Sequence, residues 1–230
     1  MAILYHHPIC PHSRFIRIVL AEYGMEPDLI EERPYERRRE FLELNPAGAT
    51  PVLIDQSAAV IPGASIIAEY LDETAGLALG DRRLLPVDPL GRIEVRRLLE
   101  WFNVRFSAEV SNWLVTEKVY KRFLPNGQGG GAPDMDLLRA ARSNIRYHLR
   151  YIGWLASHRN WLAGDNLSYA DLAAAAHISS VDFLGDVPWS EDEMAKNWYA
   201  RVKSRPSFRA ILADRVGGLT PSPSYADLDF

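Results

Sequence analysis

The 230-residue chain contains one cysteine, Cys10. It therefore forms no internal disulfide, and a reducing cytoplasm is its expected setting. It has no apolar run of about 18 residues, which excludes a membrane-spanning helix as the sequence reads. The opening MAILYHHP lacks a basic segment followed by a long apolar one, so no secretory leader is expected. Basic charge is not in excess. Lysine and arginine number 26 against 30 acidic residues, a net charge of −4, which argues against general nucleic-acid binding. The basic run ERRRE (36–40) is flanked by acids and reads as a solvated helix face. The six histidines show no metal-ligand spacing with carboxylates or cysteine, so no metal is expected. No phosphate-binding glycine loop, dinucleotide fingerprint, Ser/His/Asp pattern or internal repeat is present.

The patterning that is present divides the chain. AILYHH (2–7) predicts a strand ending at Pro8. A helix from about Pro11 follows, with Phe15, Ile16, Val19, Leu20 and Tyr23 on one apolar face and Gly24 as its stop. DLIEE (28–32) predicts a second strand, and RRREFLELNP a short helix ended by Asn45–Pro46. PVLID and AAVIP predict two short strands joined at Gln56–Ser57, and a helix covers about 64–73. The order is βαβαββα over residues 1–76. A Gly/Pro/Asp-rich linker at 77–88 comes next, and beyond it strand signals disappear. Asp88 and Pro89 predict the start of a long helix whose buried face includes Leu98, Phe102, Phe106, Val110, Trp113 and Leu114. LPNGQGGGAP (124–133) predicts a loop. Further helices are expected at about 134–157, 168–184, 190–204 and 206–214. Ser168 and Asp171 resemble a capping box. Residues 89–216 thus form an all-helical domain, and 217–230 a tail ending in YADLDF.

Four stretches, CPHSRFIRIVLAEYG, NPAGATPVL, AEYLDE and LSYADLAAAA, together resemble the cytosolic glutathione transferase family. The implied fold is an α/β thioredoxin-like domain joined to an all-α C-terminal domain. The implied chemistry is glutathione-dependent transfer or thiol exchange through Cys10. That cysteine lies at a helix start, where the helix dipole favours a thiolate. Ser13 completes a CxxS pattern that suits monothiol exchange, and Tyr5 and His12 are nearby polar candidates. Cys10 reads equally as a small buried residue without activity. Thr50 would pair with the cysteinyl backbone of glutathione, beside a cis Pro51. The family usually carries Glu-Ser before the third helix to hold the γ-glutamyl group. Here Gly63 and Ala64 stand in those places, so glutathione binding is not expected and no cofactor is assigned.

Within the family the chain resembles a branch of alphaproteobacterial FtsZ-binding, glutathione-transferase-like division proteins. The resemblance rests on the YHHPICPHSRFIRIVLAEYG opening, ERRREFLELNPAG, Gly63–Ala64 and the final YADLDF. It implies a homodimeric, non-catalytic adaptor at the cytoplasmic division site that binds FtsZ filaments and promotes their curvature or bundling. Two partner-binding surfaces are expected: Tyr35 with Arg37, Arg38 and Arg39, and the tail residues Tyr225, Asp227, Leu228, Asp229 and Phe230. The tail surface suits a second division partner. The tail also reads as a segment docked back on the body.

Overall fold

In the computed structural model, which describes residues 1–227, the first strand is β1 (Ile3–His6). It is followed by α1 (Pro11–Glu22), β2 (Asp28–Glu31), the short α2 (Arg39–Leu44), β3 (Val52–Ile54), β4 (Val60–Pro62) and α3 (Ala64–Ala75). The sheet order is β2-β1-β3-β4. β1 runs parallel to β2 through the α1 crossover and antiparallel to β3, and β3 and β4 form a hairpin. Leu4, Leu53 and Ile61 sit opposite one another across three strands, and all are buried. One period-2 face of the sheet is thereby closed against helices. The hairpin turn is held by Asp55, which accepts hydrogen bonds from the backbone of Ser57 and Ala59, each at 2.8 Å. α1 stops as its glycine predicts: Gly24 has φ +69°, and Met25 N–H reaches back to Leu20 O at 2.8 Å.

Residues 76–82 turn as a tight 3₁₀ segment within the expected linker. Asp88 then accepts from Gly91 N–H at 2.7 Å and opens α4 (Pro89–Glu100). The helix continues without a break through wider π turns over Trp101–Ser111 into α5 (Asn112–Lys118). α6 (Met135–His158), α7 (Tyr169–Phe183), α8 (Glu193–Lys203) and the short α9 (Arg209–Leu212) complete the helical part. Every residue of α7 is buried, which explains its apolar and alanine-rich composition on all sides. Asp171 caps it, accepting from Ser168 N–H and Oγ–H and from Leu162 N–H. α7 packs directly on α1. Tyr169 and Phe15 meet edge to face, and the Tyr169 hydroxyl bonds both Tyr23 and Ala68 O. One apolar core therefore runs from the sheet into the helices.

This sandwiching revises the expected single apolar face of α1. Ser13, Arg14 and Arg17 are buried as well. Arg14 donates to Pro8 O at 2.7 Å and to Ser179 Oγ on α7 at 3.0 Å, and Arg17 pairs with Asp214 at 2.5 Å. No helix among the described residues is long and apolar enough to cross a membrane.

Candidate functional site

Cys10 is the N-cap of α1, in extended conformation, with Pro11 at the first helical position. Its thiol is buried and points at Thr50 O, 3.7 Å away. The Thr50–Pro51 peptide is cis. Burial pushes the thiol's pKa up. The adjoining His12 imidazole, through its hydrogen bond and charge, outweighs burial together with Thr50 and the Ser13 N–H, and the thiol is held at about 7. In turn, burial lowers the His12 pKa, but Cys10 and the Asn103 carbonyl raise it above the ordinary histidine value. His12 Nε2 lies 2.9 Å from Asn103 O. A carbonyl only accepts, so Nε2 carries the proton and Nδ1 is the nitrogen free to exchange the Cys10 proton. Asn103 is itself fixed from behind: its Oδ1 lies 3.2 Å from His177 Nε2, and His177 Nδ1 lies 2.8 Å from Ser111 Oγ.

Cys10, His12 and Thr50 border a cavity of about 290 Å³. Pro34, Gly48 and Ala49 line it from the sheet side, and Ser107, Asn112, Val115 and Tyr120 from the long helix and the turn after it. A wider cleft of about 610 Å³ lies between α1, β3 and α3, away from the thiol. Ser13, expected beside Cys10 as the second half of CxxS, contributes through its backbone. Its hydroxyl is buried and accepts from His7 N–H at 3.2 Å. Tyr5 packs on Phe41 and does not line the cavity.

Residues 63 and 64 open α3. Gly63 is the N-cap, with φ +92°, no side-chain cap is present, and Ala64 is buried. Gly63 N–H bonds Pro51 O at 3.0 Å, which places this helix start next to Thr50. Neither residue carries an acid or a hydroxyl. Ser65, one position on, is exposed.

The arginine-rich segment is more internally paired than its sequence suggests. Arg38 makes a two-pronged bond to the buried Glu32 carboxylate, Arg39 pairs with Glu43, and Arg33 pairs with Glu36. Arg37 is exposed with φ +48°, and no ion pair involves it among the described residues. Tyr35 is not a free aromatic. It stacks on Phe123 at 5.5 Å and 8° and touches Tyr120 and His7, closing the sheet side onto the helical side beside Pro34.

Tyr225, expected at a partner surface, is instead fully buried. Its ring meets Phe183 edge to face at 5.1 Å and lies 5.4 Å from the Arg14 guanidinium, and its hydroxyl bonds Ile211 O at 2.9 Å. The buried Lys203 ammonium holds the same segment through Ser224 O at 2.9 Å and Asp227 O at 2.6 Å. The docked form of the tail is therefore the one observed through residue 227. Leu228, Asp229 and Phe230 lie outside the described residues. Two participants had no sequence signal. Asn103 stands 91 positions from His12, and Arg14 lies off the apolar stripe of α1.

Comparison with known proteins places these observations. The family model described as Glutathione S-transferase, N-terminal domain matches residues 4–79, and that described as Glutathione S-transferase, C-terminal domain matches residues 133–206. FtsZ-localized protein A of Caulobacter vibrioides is 45% identical over 230 residues, covering 99% of this chain and 97% of its own. The crystal structure of a glutathione S-transferase from Sinorhizobium meliloti 1021 is 56% identical, with a TM-score of 0.97 and 100% coverage of both chains. The structure of FzlA from C. crescentus is 45% identical, with a TM-score of 0.92, covering 100% of this chain and 99% of that one.

Proposed function

The chain belongs to the glutathione S-transferase family, and we propose that it is a non-catalytic adaptor that binds FtsZ filaments at the division site in the cytoplasm. The observation that carries this reading is the end-to-end likeness to FtsZ-localized protein A. The start of α3 supports it, since Gly63 and Ala64 offer nothing to grip a γ-glutamyl group. Binding would regulate filament curvature or bundling, and so constriction. Arg37, the cation of its segment without an ion pair among the described residues, is the leading contact for the acidic strip of a partner. Arg39, whose pairing with Glu43 is fully exposed, exchanges partners at little cost. Asp227 and the residues after it would form a second contact, for another division partner. A homodimer would present each surface twice and raise the effective concentration on a filament. The exposed Leu90, Ile93 and Val104 along the first long helix supply an apolar stripe for such pairing.

The test is co-sedimentation with FtsZ assembled by GTP. Saturable pelleting is expected at micromolar protein, weakened by Arg37→Glu with Arg39→Glu at an unchanged melting temperature. Electron microscopy of the same samples reads curvature and bundling. No pelleting of the wild-type chain overturns the proposal. The competing activity is glutathione-dependent transfer through Cys10. Saturable heat with millimolar glutathione, and turnover lost in Cys10→Ala, would establish that reading instead.

A further inference from the structure

We propose that the open edge of β2 is a docking site for an extended segment of a partner protein in which apolar and basic residues alternate, added as a fifth strand. β2 is the outermost strand on its side of the sheet. Asp28 N–H bonds Ala2 O and Glu32 N–H bonds His6 O, in step with the pairing of β2 on β1. In a parallel ladder such bonds fall on alternate residues. Asp28, Ile30 and Glu32 therefore face β1, and the N–H and C=O groups of Leu29 and Glu31 face outward. Neither residue makes a backbone hydrogen bond beyond that ladder among the described residues. All four residues of β2 are exposed, Leu29 by 48% and Ile30 by 37%. The opposite edge of the sheet is blunted. There Ala59 and Gly63 bond inward, so the outward residues of β4 are Val60 and Pro62, and Pro62 has no N–H to offer. β2 contains no proline, and its exposure shows that nothing covers it.

The surroundings define the partner. Side chains alternate across a strand, so Leu29 lies on the face of its ladder neighbour Leu4, and Asp28 and Ile30 lie on the other. On the Leu29 face a cleft of about 450 Å³ separates the edge from the helices, walled by Leu20, Ala21, Leu29, Pro206 and Ala210. Arg17 within it is paired with Asp214, and the exposed Glu26 and Arg209 give it one charge of each sign. An apolar side chain of an added strand fits that face. Along the strand itself the exposed charge is acidic. Asp28 forms no ion pair among the described residues, and Glu31 reaches Arg33 only at 3.9 Å with both side chains exposed. Basic residues at the alternate positions of the added strand stand across from Asp28, and opposite charges so placed stabilise a ladder. The same rule disfavours a second copy of this chain, which would set Asp28 and Glu31 of both molecules on one short ladder.

Strand addition draws affinity from main-chain bonds and specificity from alternate side chains. The short edge keeps the first of these modest. Leu29 and Glu31 together offer two donors and two acceptors, each exchanging water for a peptide group at small net gain. Burial of Leu29 and filling of the cleft beside it add to that gain. An isolated peptide is therefore expected to bind with a dissociation constant on the order of 100 µM. A segment belonging to a partner held elsewhere on the chain would bind more tightly through effective concentration.

The experiment titrates the full chain into a fluorophore-labelled heptapeptide of alternating lysine and valine at near-physiological salt, and follows exchange of individual amides by NMR. Saturable binding is expected. At saturation the outward amides of Leu29 and Glu31 should exchange about tenfold more slowly, while that of Ile30, already in the ladder, changes little. The same peptide N-methylated throughout keeps its charge and loses its donors, and should bind at least about tenfold more weakly. Leu29→Lys should cost about tenfold in affinity. Asp28→Lys should weaken the lysine peptide about fivefold and strengthen a glutamate–valine counterpart. The proposal is overturned by an absence of saturable binding, by equal binding of the N-methylated or the glutamate–valine peptide to wild type, or by protection that spares Leu29 and Glu31. Protection of these two amides in the free chain as its concentration rises would overturn it in favour of a second copy. The wild-type exchange pattern and the peptide series decide the matter even where a variant fails to fold.

Discussion

Replacing Tyr225 separates the two readings of the tail, as a docked strap or as a free peptide. The side chain is fully buried between Phe183, Arg14 and α9. Truncating a buried aromatic residue to alanine in a rigid core costs about 3–5 kcal/mol. Two features reduce that figure here. The segment can detach as a unit, so the loss is capped by what docking contributes. Detachment also returns water to the Arg14 guanidinium, whose Nη2 is buried without a partner in the docked state. The expected cost of Tyr225→Ala is therefore about 2–4 kcal/mol. For a chain of this size that is a fall of roughly 5–15 °C in melting temperature.

Tyr225→Phe isolates the hydroxyl. Ile211 O also receives backbone N–H groups at the end of α9, so it is not orphaned when the phenol is removed. The cost should then stay at about 0.5–1.5 kcal/mol. Urea denaturation of the three proteins, with hydrogen exchange at residues 219–227, provides the measurement. A Tyr225→Ala protein within about 0.5 kcal/mol of wild type, or a phenylalanine variant as unstable as the alanine one, would refute the strap.

Two further outcomes follow from buried groups. Burial is the main force holding the pKa of His6 and His7 at about 4, against 6.5 when unfolded, with Arg17 acting on His6 and Arg33 on His7 in the same direction. Between these values the unfolded chain binds more protons, so stability falls as pH drops from about 6.5 to 4, by about 3 kcal/mol per histidine. His7→Phe keeps the ring contacts to Tyr35 and Tyr120 and removes an unpartnered Nδ1. It should match wild type at pH 7 and exceed it at pH 4.5 in urea titrations; an equal acid loss in both proteins would refute the assignment. Gly63→Ala meets no atom closer than Ile66 Cδ1 at 3.9 Å, so its cost is backbone alone at φ +92°, about 1–2 kcal/mol. An unchanged melting temperature would show that the start of α3 relaxes freely.

Much of the fold was legible because it is written in local chemistry. Pro11 and Gly24 bracket α1, Asp88–Pro89 opens α4, and Ser168 with Asp171 opens α7; each signal lies within a turn of its effect. What stayed hidden depends on partners distant in sequence. Arg14 and Arg17 sit off the apolar stripe of α1, so periodicity assigns them to solvent. They are buried because α7 and the segment around Asp214 cover that side. The Cys10–His12 pairing is suggested by CPHS, but the Asn103 carbonyl that orients the imidazole comes from the π-wound helix in the other half. Tyr35 and the arginines after it looked like an open strip. Instead, the ring is covered by Phe123, and two of the three arginines are spent on acids nearby in sequence. The tail illustrates the same limit: alternating aromatic and acidic residues suit docking and display equally, and the packing of Tyr225 against Phe183 and Arg14 decides for docking.

Two helix starts meet beside Thr50 and Pro51, and they differ in what else depends on them. At α1, the groups that tune the thiol also hold the fold. Thr50 precedes β3, Asn103 bridges to α7 through His177, and Ser13 binds the backbone after β1. Removing the Asn103 or Ser13 side chain would strand a buried polar atom, at about 1–3 kcal/mol each. At α3, an acid and a hydroxyl would serve only a bound ligand. Gly63 and Ala64 keep the backbone bond to Pro51 and the packing of Ala64 without them. An α3 start without an acid or a hydroxyl therefore costs the structure little, whereas the surroundings of the Cys10 thiol are held by the demands of packing. A thiol held at about 7 is thus a consequence of the groups that the fold packs around it.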